Sequence, residues 1–127
     1  MPEFRNVPDM PPPGFPGSHM VIDAPYIHVS GLVATDVEPG FAGHGDIRAE
    51  TEKVLSALDH MLASAGSGLA HVVRVDVHLA DLADIDALDA IYAGFFTEGR
   101  YPARTCTESP HICGGCRVEI TVMARLP

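Results

Sequence analysis

Apolar residues recur along the middle of the chain at three-to-four spacing: Ile47, Thr51, Val54, Leu55, Leu58, Met61, Leu62 and Ala65. That period predicts a helix with one buried face, opened by Asp46 as N-cap and ended at Gly66 in a left-handed conformation. From His71 to Leu79 the period drops to two, with Val73, Val75, Val77 and Leu79 on one face and Arg74, Asp76 and His78 on the other. This is a strand. A second amphipathic helix is predicted from Asp84 as cap, through Ile85, Leu88, Tyr92, Phe95 and Phe96, towards Gly99. Two further strands, about Ala103 to Thr107 and Arg117 to Leu126, close the chain.

Before the first helix, Met20-Val21-Ile22 and Tyr26 to Ser30 read as two short strands joined by a turn at Asp23-Ala24-Pro25. Thr35 to Gly45 reads as a loop. Residues 1–16 carry six prolines, which exclude a helix or a central strand and predict an extended arm. Strands in two groups, each separated by one helix, predict an α+β domain with two helices packed on one face of a mixed β-sheet. The opposite face is expected to carry His28, Ser30, Arg74, Asp76, Arg104, Cys106, Glu119 and Thr121.

At 127 residues, 46% of them apolar, the chain fits one domain with a core of its own. No apolar run approaches the roughly 20 residues that span a bilayer, and Met1-Pro2-Glu3-Phe4 does not open a signal peptide, so the expected location is cytoplasmic. A net charge of -9 with a single lysine, Lys53, argues against nucleic acid as a partner. Three cysteines without a secretion signal are expected as reduced thiols.

The chemistry concentrates near the C-terminus. Alternation places Arg104 and Cys106 on one face of their strand, and Glu119 opposite Val118, Ile120 and Val122 on the next. If those strands pair, a planar guanidinium suited to a carboxylate and a carboxylate able to take a proton from water share one pocket. The alternative is a structural ion pair across strands. Cys106 beside Arg104 is expected to ionise more readily; no adjacent histidine activates it, so a pocket-lining role is preferred to a nucleophile. Between the strands lies His111-Ile112-Cys113-Gly114-Gly115-Cys116. It is open to three readings: a zinc site with Cys106, a labile disulfide, or a hairpin turn at two glycines of positive φ. The turn is preferred, and no metal is assigned.

Val29-Ser30-Gly31, Ile91 to Phe96, Pro102-Ala103-Arg104-Thr105-Cys106 and Val118-Glu119-Ile120 resemble, in that order and spacing, the motifs of the RidA (YjgF) family of enamine/imine deaminases. The likeness runs from about Pro16 to the C-terminus. It implies a chorismate-mutase-like fold, a homotrimer with active sites between subunits, and hydrolysis of small carboxylate-bearing enamines or imines to 2-oxo acids and ammonia without a cofactor. Carried over, Arg104 holds the substrate carboxylate and Glu119 activates water. Ser30, Gly31 and Cys106 line the pocket, and His111 edges it. The family's pocket tyrosine falls on Gly17, which implies a wider site unless Phe15, Ser18 or His19 fills it. Asp89 stands where many relatives carry an asparagine, and is read as an exposed helix carboxylate. Gly14 to His19 and Asp46 to Thr51 also resemble, more weakly, 2-aminomuconate deaminases. A trimeric, non-catalytic binder of small 2-oxo or carboxylic acids is the alternative from another class.

Overall fold

The computed structural model describes residues 1–127. Its six strands are β1 (Glu3–Arg5), β2 (Met20–Asp23), β3 (Tyr26–Val29), β4 (Val72–Leu79), β5 (Ala103–Glu108) and β6 (Val118–Arg125). They form one mixed sheet in the order β1-β2-β3-β6-β4-β5. Only the β4–β5 pair is parallel. The helices are a short α1 (Ala34–Val37), the long α2 (Ile47–Ala63) and α3 (Ile85–Tyr92). None is long and apolar enough to cross a membrane.

Helix α2 forms where its period predicts. Asp46 caps it by accepting the N–H groups of Arg48 and Ala49, and Thr51, Val54, Leu55, Leu58, Met61 and Leu62 are buried. These pack on Val75, Val77, Leu79, Val118, Ile120 and Val122 in one core. Helix α3 adds Leu88 and Tyr92 to it and stops at Tyr92, followed by a 3-10 turn over Ala93–Phe95. Asp84 does not cap α3; its carboxylate accepts from Arg117 instead.

Strand β4 departs from the expected alternation at one residue. Val72 is buried and Val73 is exposed, because the β4–β6 register shifts between Val72 and Arg74. This bulge turns Val73 outward while Val75, Val77 and Leu79 keep their inward phase.

The proline-rich arm folds back along the domain. Its Glu3–Arg5 segment pairs with the β2 edge, where prolines on either side cost no ladder bonds. Buried His19 anchors the rest: its Nδ1 accepts from Val7 N–H at 2.8 Å and its Nε2 lies 3.0 Å from the Pro11 carbonyl. With Nδ1 accepting from Val7, Nε2 is the ring nitrogen placed to donate to the Pro11 carbonyl.

Strands β5 and β6 do not pair. β4 lies between them, with Arg104 opposite Val75 and Cys106 opposite Val77 on one side, and Glu119 opposite His78 on the other. The 109–117 segment is therefore a crossover, not the expected hairpin turn, although Gly114 and Gly115 do take positive φ (71° and 67°).

Candidate functional site

Residues directly opposite in a sheet share a face. Arg104 and Cys106, in register with buried Val75 and Val77, therefore stand on the helix-covered face at its β5 edge. The expectation that they share the open face with Glu119 is wrong. The sequence pattern fixed the alternation within β5 but not which of its two faces turns to the helices.

Helix α3 supplies the surroundings of Arg104. Its Nη1 donates to Asp89 Oδ1 at 2.6 Å, and its guanidinium lies 4.9 Å from the ring centroid of Tyr92. Asp89, Tyr92, Ala93, Tyr101, Pro102 and Arg104 line an open cavity of about 250 Å³. The hydrogen bond that Arg104 donates to Asp89, together with the charge of that carboxylate, raises the Arg104 pKa above the ordinary arginine value. Five N–H groups on a planar fork leave Arg104 donors beyond the one given to Asp89. Tyr92 lines this cavity, and its buried hydroxyl has no hydrogen-bond partner within the chain. Burial raises the Tyr92 pKa. Burial also pushes the Cys106 thiol up, and this outweighs the opposing pull of Arg104. Cys106 is thus less readily ionised than a free thiol, the reverse of the sequence expectation.

A second group forms on the other face. Leu32 exchanges backbone hydrogen bonds with Ile120 (3.0 and 3.1 Å), which draws Gly31 against β6. A Cβ at Gly31 would sit 3.0 Å from Thr121 Oγ1 and 3.1 Å from Glu119 Cδ, so this close approach requires glycine. The Glu119 carboxylate has no hydrogen-bond or ion-pair partner within the chain. Its neighbours on the face are engaged: Arg74 with Asp76 at 3.0 Å, and His78 with Thr107 at 2.9 Å. Ser30 Oγ donates to the Ser18 carbonyl at 2.6 Å.

Ser30 and Gly31 open onto a cavity of about 210 Å³ whose far wall is the folded-back arm, including Pro12, Pro13, Phe15, Ser18 and His19. Gly17 is not part of that wall; it lines a second cavity, shared with Phe4, Ser18, His28 and Ser30. A side chain starting at Gly17 would meet the Phe15 ring 2.4 Å away. His111 is exposed on the crossover and lines neither the Ser30–Gly31 cavity nor the Arg104 cavity. The structure thus gathers Ser30, Gly31 and Glu119 in one place, which Gly17 adjoins through the second cavity that Ser30 also lines, gathers Arg104 and Cys106 in another, and leaves His111 out of both.

The family model described as endoribonuclease L-PSP matches residues 10–126. The chain belongs to the RidA/YjgF/L-PSP family. Among relatives in this family, a RutC family protein of Synechocystis is 32% identical over 118 residues, covering 92% of this chain and 91% of its own. The 3-aminoacrylate deaminase RutC of Acinetobacter baylyi is 33% identical over 100 residues, 79% of each chain. The rat 2-iminobutanoate/2-iminopropanoate deaminase is 33% identical over 98 residues, covering 77% of this chain and 71% of its own. In structure, RidA of an Antarctic Psychrobacter superposes with TM-score 0.87 at 24% identity over 97% of this chain and 98% of that one, which shows the fold alone. A YjgF family member of Neisseria meningitidis reaches 0.78 at 28% identity, over 100% and 96%.

Within this RidA-family fold, sequence reasoning missed two residues of the Arg104 cavity. Tyr92 was read as core alone; Asp89, read as an exposed helix carboxylate, is 45% exposed, but its bond to Arg104 was not foreseen. Their spacing held the signal: residues three apart on a helix share a face. The buried position of Tyr92 therefore already placed Asp89 on the side turned to the sheet edge.

Proposed function

We propose that this protein hydrolyses small 2-imino and enamino acids to 2-oxo acids and ammonia, at sites each built from two copies of the chain in a homotrimer. The observation that carries the reading is the state of Arg104 and Glu119. They stand on opposite faces of one sheet, so they cannot be a structural ion pair within a chain. Each nonetheless has unused capacity: Arg104 has free N–H donors, and Glu119 has a carboxylate with no partner. A second copy that brings its Arg104 edge against the first copy's Ser30–Gly31–Glu119 surface completes both.

In such a cleft Arg104 holds the substrate carboxylate and fixes the imine carbon. The protonated imine is already electrophilic. Glu119 takes a proton from a water as its oxygen bonds to that carbon and the C=N π pair moves to nitrogen. It gives this proton to nitrogen, then takes the remaining hydroxyl proton as the carbonyl forms and the C–N bond breaks, and that proton leaves with the ammonia as ammonium. The backbone at Gly31 approaches the water position closely because no side chain intervenes. The chain itself supplies every group in this sequence.

A ribonuclease activity, suggested by the description of the family model, has less support. Arg5, Lys53, Arg74, Arg104 and Arg117 all pair with carboxylates, and the net charge is -9. Too little free positive surface remains for a phosphate backbone.

The test is subunit complementation. Arg104→Ala and Glu119→Gln variants are each assayed for consumption of 2-iminopropanoate generated in situ, then unfolded together and refolded as mixed oligomers. Each variant alone is expected to be inactive, and the mixture to regain up to about a quarter of wild-type activity, since random assembly of a heterologous ring joins intact Arg104 to intact Glu119 at that frequency. No recovery in properly assembled mixtures would refute the shared site. Wild-type protein that binds a 2-oxo acid without consuming the imine would establish the non-catalytic binder.

A further inference from the structure

We propose that His44, Glu50 and Cys116 form a site for one zinc-class divalent cation per chain. One ligand atom of each residue lies within 4.8 Å of those of the other two. They come from three separate segments: the loop before α2, the first turn of α2, and the end of the 109–117 crossover. A small closure of this arrangement brings imidazole nitrogen, carboxylate oxygen and thiolate sulfur to the spacing of a tetrahedral centre with a fourth position left to water.

Glu50 gives the strongest reason. It is fully buried, 0% exposed, yet no lysine, arginine or histidine forms an ion pair with it. Its partners are two backbone amides, Gly45 N–H at 2.7 Å on Oε2 and Arg117 N–H at 2.8 Å on Oε1. Buried carboxylates are ordinarily paired with a cation or bound to a metal. Each oxygen of Glu50 keeps a lone pair beyond its amide bond, and the two amides hold the carboxylate in a fixed orientation.

The other two ligands are also supported from outside. His44 Nε2 lies 2.9 Å from the Gly114 carbonyl, the type of backbone contact that orients a metal-binding imidazole. Cys116 is buried, 2% exposed, with Thr35 Oγ1 at 3.5 Å from its sulfur. The crossover reaches this geometry through Gly114, where a side chain would meet Thr35 Oγ1 at 2.5 Å and where φ is positive. The mixed nitrogen, oxygen and sulfur set suits zinc or cobalt(II), not magnesium or calcium, which take oxygen ligands. Charge balances: as the sulfur–metal bond forms, Cys116 releases one proton to solvent, and thiolate plus Glu50 carboxylate neutralise the dication.

This set differs from the zinc ligands weighed in the sequence, since Cys113, Cys106 and His111 are not in it. Its position implies a clasp that ties the 38–46 loop and the crossover to the start of α2. Thr35, beside Cys116, lines the Ser30–Gly31 cavity, so the clasp braces a wall of that cavity without entering its chemistry.

The test titrates chelator-treated, reduced full-length protein with Co2+ and then Zn2+. One cobalt ion per chain is expected, with a thiolate-to-cobalt charge-transfer band that zinc bleaches, and a Tm that rises with zinc. Cys116→Ser should abolish the band. His44→Ala, at an exposed position that does not carry the fold, should lower affinity more than about tenfold, with circular dichroism unchanged. Cys113→Ser should leave band and affinity intact. A wild-type protein that shows no band in excess cobalt overturns the proposal, as does a band that survives Cys116→Ser, one lost in Cys113→Ser, or affinity indifferent to His44→Ala.

Discussion

Arg104 on β5 and Asp89 on α3 are joined by a 2.6 Å charge-assisted hydrogen bond, so the cation proposed to grip a substrate carboxylate already holds one from its own chain. The bond orients the guanidinium and at the same time competes with substrate. Asp89→Asn keeps an oxygen acceptor but removes the competing charge. With Asp89 45% exposed, solvent screens the pair and its strength is of the order of 1 kcal/mol or less. The expected result is a KM for 2-iminopropanoate lowered about two- to fivefold with kcat little changed. A KM that rises in Asp89→Asn would mean that orientation outweighs competition.

Arg104→Lys is expected to lose nearly all imine hydrolysis. A lysine cannot give Asp89 one donor and a carboxylate a parallel pair in the same plane. Glu119→Gln should retain binding of a 2-oxo acid while kcat falls by about 100-fold or more, since an amide cannot accept the proton of water. Isothermal titration beside steady-state kinetics separates the two effects. Full activity in either variant would return that residue to a structural role.

Cys106 provides a prediction in pH. Burial holds its thiol above the ordinary range, Asp89 adds to that shift, and Arg104 opposes it. Because the folded-state pKa is raised, the thiolate appears only at higher pH than in an unfolded chain. Alkylation of Cys106 should therefore lag that of exposed Cys113 near pH 8 and catch up as pH rises. The same sign makes the folded state lose stability as pH climbs from the unfolded thiol pKa towards the folded one. Asp89→Asn removes a raising influence, so Cys106 should react faster in that variant. Mass spectrometry of timed iodoacetamide reactions reads all three; equal rates at Cys106 and Cys113 across the pH range would contradict the shift.

The elements of this fold were legible where burial is one-sided. Helix α2 and strands β4 and β6 announce themselves because Leu58, Val77 and Ile120 must recur in phase to reach one core. Strand order was not legible. The insertion of β4 between β5 and β6 depends on the parallel β4–α3–β5 crossover, a long-range pairing that leaves no local period. That one topological fact moved Arg104 and Cys106 to the face opposite Glu119. The Val73 bulge escaped for a related reason, since a β-branched apolar residue in an alternating run looks the same whether it is in or out of phase. Asp84 was misjudged as a cap because Arg117, 33 residues later, competes for its carboxylate.

Substrate size tests the arm. The expectation from sequence was that Gly17 widens the pocket, and Phe15 is found on the cavity wall with its ring over Gly17. Phe15 is 53% exposed, so its removal should not unfold the protein. If the proposed site uses the Ser30–Gly31 cavity, Phe15→Ala should raise kcat/KM for the imine of a large amino acid relative to that of alanine by about tenfold, the scale on which one group in a pocket acts. Gly17→Tyr acts differently from a simple wall: its Cβ displaces the Phe15 ring, so its effect on the ratio should be smaller than that of Phe15→Ala, and combining it with Phe15→Ala should restore preference for the small imine because the tyrosine ring then has room to occupy the vacated space. The ratio measured in wild type, both single variants and the double variant decides the matter. An unchanged ratio in Phe15→Ala would show that substrate does not reach the arm, and that size is set from the Arg104 side of the cleft.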